Sequence, residues 1–233
     1  MSRLLLACSL VTALTSQLAF ADRAFEAPPP PHPFAQPPPA HPERAADHAD
    51  VVLDRATVRA ALAEARARNL AAFRAYQARG VFPSNTFDDG KLNVWRDRDG
   101  HFCAAATIIK ASGQLALVER VAEQTNFIRL ADVSQGPLMD WILTSGFTQA
   151  EIAAIQEPFM PVTRRPQPVE PAPVIDARLR KQEDARLRAR YTEVTRALVR
   201  DEARSLDLAT ERLLAHPGLA WALVESMPTG GAS

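Results

Sequence analysis

Disulfide-based stability, a general affinity for polyanions and a membrane-spanning mature chain are each excluded by something this sequence lacks. It has only two cysteines, Cys8 and Cys103, among 233 residues. It has no excess of either charge, with 27 Lys and Arg against 27 Asp and Glu. A chain this close to neutral is a poor binder of polyanions, so no nucleic-acid partner is expected. After the first 21 residues no stretch approaches the roughly 18 consecutive apolar residues that a membrane span needs. G-x-G-x-x-G, Walker A and G-x-S-x-G patterns are missing, and the five histidines have no H-x-x-x-H or C-x-x-C companions. No cofactor and no metal site are therefore expected.

What is present begins with a leader. Met1-Ser2-Arg3 is a short positive start, Leu4 to Phe20 is mostly apolar, and Ala19-Phe20-Ala21 is an A-x-A cleavage site. Residues 1–21 read as a secretory signal peptide, which implies a periplasmic or secreted protein beginning at Asp22. Lipoprotein anchoring through Cys8 is the alternative, on the loose lipobox Leu5-Leu6-Ala7-Cys8, although very little apolar sequence precedes that cysteine. Cleavage removes Cys8 and leaves Cys103 alone, so no intramolecular disulfide can form and an apolar core must supply the stability.

Proline sets the organisation. Residues 22–49 include Pro28-Pro31 and Pro37-Pro39 and read as a Pro-rich disordered segment. A mainly α globular domain is expected over 50–160, a Pro-rich linker over 161–173 and a C-terminal amphipathic helical module over 174–233. Within the domain, Val58, Leu62, Ala65, Phe73 and Tyr76 form one stripe of a helix from about Asp54 to Arg79, closed by Gly80. Asn69 lies on the same stripe and must either bond a neighbouring loop or reach water. Leu92 to Trp95 and His101 to Ala104 flank a Gly-containing turn and read as one short β-hairpin. Further helices are expected to Ala111, over Gln114 to Gln124, over Leu138 to Thr144, and over Gln149 to Glu157 behind the capping box Thr148-x-x-Glu151. In the last module Leu187, Tyr191, Val194 and Leu198 step by 4, 3 and 4, the spacing of a short coiled-coil seam. That seam makes the C-terminal helix the expected surface for a protein partner or for self-association.

Cys103 is the candidate reactive residue. It stands at the start of a helix, where backbone N–H groups favour a thiolate, and two residues from His101, a base or thiolate stabiliser. The competing reading is a small buried apolar thiol among Phe102, Ala104, Ala105 and Ala106. No second histidine with a carboxylate or amide is placed to complete a thiol-hydrolase triad. Asp97-x-Asp99-Gly100 has a calcium-loop look, but Trp95 and Ala106 fall at the first and last ligand positions, and a turn fits better. Trp141 reads as core, with a ligand groove as the alternative.

The middle of the chain resembles a domain that recurs in bacterial exported proteins and has no established activity. The resemblance rests on Gly80-Val81-Phe82-Pro83-x-Asn85, Asp97-x-Asp99-Gly100-x-x-Cys103-Ala104, Ser112-Gly113, Leu130-x-Asp132, Trp141 and Ser145-Gly146-Phe147-Thr148-x-x-Glu151-Ile152. It spans residues 55 to 160 and implies those boundaries and an interest in Cys103, without a reaction. The sequence thus predicts an exported, non-enzymatic binding protein, with a thiol-dependent enzyme using Cys103 and His101 as the alternative.

Overall fold

A computed structural model of the protein describes residues 53–227. The leader, the first Pro-rich segment and the last six residues lie outside the described residues. The fold is mainly α, with helices α1 (Arg55–Arg79), α2 (Ala104–Ala111), α3 (Leu115–Gln124), α4 (Pro137–Thr144), α5 (Gln149–Ile155), α6 (Ala177–Arg200), α7 (Glu202–Leu214) and α8 (Pro217–Glu225), plus a 3-10 turn at Leu130–Asp132.

Local chemistry sets the helix ends. Asp54 caps α1 by accepting the Thr57 amide, and Gly80 ends it at φ 66°, a left-handed conformation that glycine adopts without strain. Thr148 and Glu151 close a reciprocal capping box at α5. The charged C-terminal helix expected to run unbroken to Leu214 is interrupted at Asp201, which ends α6 and begins α7.

α1 is the central element. Val58, Leu62, Phe73 and Tyr76 are fully or almost fully buried on it. α7 packs on it as extensively as α2 does, α8 and α6 touch it less, and all contribute to one hydrophobic core. Buried residues on both sides of residue 174 belong to this one cluster. The apolar seam is spent inside the chain, with Leu187 and Tyr191 completely buried and Val194 and Leu198 nearly so. Tyr191 meets Phe73 edge-on at 5.5 Å between ring centroids and Tyr76 at 5.7 Å. The spacing was that of a helix needing a partner, and the partner is α1.

The segment expected to be a free Pro-rich linker is tied down at both ends. Val162 is completely buried, and its amide donates to the Asn85 carbonyl at 3.0 Å. The Asp176 amide returns to the Val162 carbonyl at 2.8 Å. Asn85 is the anchor: its Nδ2 donates to the Gly90 and Phe159 carbonyls, and its Oδ1 accepts the Phe87 and Asp88 amides.

The expected hairpin is a tight turn with one isolated antiparallel bridge, Arg96 to Phe102. Two strands do not form because the flanks leave each other. Leu92 bridges to Phe159, and the other side enters α2 at once. The carboxylate of Asp97 organises the turn, accepting the amides of Ser84, Asp99 and His101 at 2.8–3.0 Å.

The basic run on α6 is also used internally. Arg180 donates to the Pro83 carbonyl and pairs with Asp184. Arg186 holds Glu183 and Glu157, and Arg190 holds Glu157 and Glu193.

Candidate functional site

Cys103 is the N-cap of α2, and its Sγ accepts the Ala106 amide at 3.4 Å. The helix start predicted from sequence is there, but the thiolate is not favoured. The residue is 1% exposed, and burial pushes the thiol up to about 12, overcoming the amide hydrogen bonds that act the other way. Burial also raises the phenols of Tyr76 and Tyr191, and the neighbouring thiol adds to both shifts. The surroundings of Cys103 are those of an inert core thiol.

His101 points elsewhere. Its Nδ1 lies 3.2 Å from Asp97 Oδ2, and its side chain is 44% exposed while that of Asp97 is 1% exposed. The two residues proposed as a catalytic pair therefore face different environments, one the core and one solvent. Asp97, Asp99 and His101 do bring ligand-type atoms within 4.8 Å of one another. The Asp97 oxygens, however, are already accepting three backbone amides, and that arrangement explains the cluster as a turn.

A concave feature lies at the C-terminal end of α2, away from Cys103. A cleft of about 470 Å³ opens between α1, the ends of α2 and α4, and α8. Its floor is small, made by Ala65, Ala72 and Ala111, and Trp141 forms a wall. Trp141 is 7% exposed, and its Nε1 donates to Ser112 Oγ at 2.8 Å. The two readings of this residue are reconciled: it is mostly core, with one edge lining a groove. Asn69 is buried, and its Nδ2 donates to the Ser145 carbonyl at 2.8 Å, so it bonds the neighbouring loop.

Three helices end on this cleft with the same device. Ser112, Ser145 and Ser226 are the C-caps of α2, α4 and α8, and all three line it. Each hydroxyl donates to the carbonyl three residues back, at 2.7, 2.8 and 2.7 Å respectively. With its proton committed to its own helix, each oxygen acts only as an acceptor: Ser112 Oγ for Trp141 Nε1, Ser145 Oγ for the Phe147 amide, and Ser226 Oγ with its lone pairs open. Helix C-termini carry partial negative charge, so the cleft is rich in acceptors. Its lining holds no cysteine, histidine or carboxylate, and its serine hydroxyls donate to their own helices.

A second cleft of about 360 Å³ adjoins the first and shares Gln114, Trp141, Thr144, Leu223 and Ser226 with it. Together they make one groove along α4 and α8. Ser112 is far from Trp141 and Ser145 in the chain, and nothing in their spacing shows that they meet around a cavity.

Compared with family models, with curated proteins and with solved structures, the chain finds no match. No described helix is long and apolar enough to cross a membrane.

Proposed function

We propose that this is an exported, non-enzymatic binding protein that takes its ligand in the groove beside Trp141. The observation that carries the reading is the chemistry of the groove: room for a small ligand, many hydrogen-bonding groups and no reactive one. The export half rests on the leader at residues 1–21 and on the resemblance to exported domains. The partner surface moves from the C-terminal helix to the groove, because the seam on α6 is covered by the chain itself.

Two measurements test this. N-terminal sequencing of the protein recovered after export gives a chain starting at Asp22. A fragment panel titrated into the ¹⁵N-labelled mature protein shifts the Trp141 indole and the Ser112 and Ser145 amides. If every fragment leaves these signals in place, or if turnover of any substrate is found that Cys103→Ser abolishes, the binding reading is wrong.

A further inference from the structure

The groove has one ionisable side chain in each of its two lobes, and they are of opposite sign. Arg68 alone among the ionisable residues lines the larger lobe, and Asp140 alone lines the smaller. Trp141 and Leu223 lie between, common to both.

Both charges are available. Arg68 is 58% exposed; it pairs with the exposed Glu64 at 3.6 Å, a kind of pair that contributes little, and makes a weak contact to Met227 Sδ at 3.9 Å. Asp140 makes no ion pair among the described residues, and partial burial raises its carboxyl pKa, with His216 as the one charged neighbour acting against that. A carboxyl destabilised in this way gains from an ammonium brought beside it. Between the charges the groove offers Ser226 Oγ, whose proton goes to the Leu223 carbonyl, as an acceptor, while Ser112 Oγ already accepts from Trp141 and the buried Ser145 Oγ from the Phe147 amide. A ligand that fits carries a carboxylate at one end, an ammonium at the other and an N–H donor between.

We infer that the groove binds short peptides with free ends, the carboxylate against Arg68, the ammonium against Asp140 and a main-chain N–H on Ser226 Oγ. An apolar side chain at the middle position packs on Trp141 and Leu223. The inference rests on the reading above that the groove is the binding site, and it names the ligand.

Calorimetry of the mature protein with Ala-Leu-Ala, its N-acetyl derivative and its C-terminal amide tests it. Blocking either end weakens binding about tenfold, as expected for loss of one charge-assisted contact. Arg68→Gln removes the preference for the free acid over the amide and keeps the preference for the free amine. Asp140→Asn does the reverse. Both residues are exposed, so both variants fold. Equal binding of free and blocked peptides, or preferences that survive in the variants, overturns the inference. If Ala-Leu-Ala fails to bind while other fragments still move the Trp141 indole, the peptide assignment falls and the binding site stands. If nothing moves that indole, both fall.

Discussion

Two stripes run side by side along α1, and they have been put to opposite uses. Leu62, Arg66 and Phe73 are sealed; Ala65, Arg68 and Ala72 border the groove, with Asn69 at the boundary between them. On the sealed stripe Arg66 is 1% exposed and makes four hydrogen bonds: two to Glu151, one to the Gly146 carbonyl and one to the Leu198 carbonyl. It also stacks on Phe147, 4.8 Å from the ring centroid. One guanidinium thus joins α1 to the cap of α5, the loop after α4 and the C-terminal turn of α6, where Leu198 would otherwise have an unpaired carbonyl. On the neighbouring stripe, small side chains leave a gap that α4 and α8 border without filling. Large groups held by several hydrogen bonds give rigidity, and alanines on the neighbouring stripe give a cavity on the same helix.

The sealed stripe breaks most severely at Gly146. This residue has φ 78°, and a Cβ there would sit 2.2 Å from the Leu62 carbonyl oxygen and 2.7 Å from the Arg66 amide nitrogen. Gly146→Ala both strains the backbone and drives the loop off α1. A loss on the order of 4 kcal/mol is expected in urea unfolding. A loss below about 1 kcal/mol would mean the loop is not clamped.

Arg66→Met comes next. It leaves the Glu151 carboxylate and two carbonyls without their donor, and removing one partner of a buried pair costs about 3–5 kcal/mol. Adding Glu151→Gln removes the stranded charge while an amide oxygen can still accept the Thr148 amide that Glu151 holds at 2.8 Å. The double variant should therefore be more stable than Arg66→Met alone, which denaturant midpoints would report.

How much of this was legible in the sequence depended on range. Asp54, Gly80 and the Thr148-Glu151 box act within four residues of themselves, and they read correctly. The seam from Leu187 to Leu198 was visible as a pattern, but its destination was not, since a 4-3-4 spacing says only that a helix has one apolar face. Arg66 was overlooked, although Leu62, Arg66 and Phe73 fall on one face; an arginine in mid-stripe is the signal that was there to read. The hairpin was misjudged because alternation and a turn glycine cannot show that Leu92 will pair with Phe159. The groove was invisible because three helix ends separated by more than a hundred residues build it. Cys103 was placed correctly at a helix start, but burial decides its chemistry and burial is a property of the fold.

The thiol supplies the third test. For Cys103 the ordinary value is 9.0 and the folded value about 12. Between them the unfolded chain loses the proton and the folded chain keeps it, so stability falls as pH rises through that window, by about 1.4 kcal/mol per pH unit. The buried phenols of Tyr76 and Tyr191 are shifted the same way and steepen the loss above pH 10. Cys103→Ala should flatten the slope between pH 9 and 10, measured from unfolding midpoints. Rapid iodoacetamide labelling of the folded protein at pH 8 would contradict the raised thiol and return Cys103 to consideration as a nucleophile.

The smallest effect separates packed core from groove most cleanly, because the same substitution is made in each, about three turns apart on α1. Ala61 is 4% exposed within the core, and Ala72 is half-buried on the floor of the groove. Ala61→Leu forces three extra carbons into packed space and should cost about 1–3 kcal/mol. Ala72→Leu places the same atoms in the cleft, where nothing has to move, and stability should change by no more than about 0.5 kcal/mol. It should also fill the space beside Trp141 and block every ligand that shifts the Trp141 indole. A large destabilisation by Ala72→Leu would show that the cleft closes in solution, and the contrast between core and groove would vanish with it.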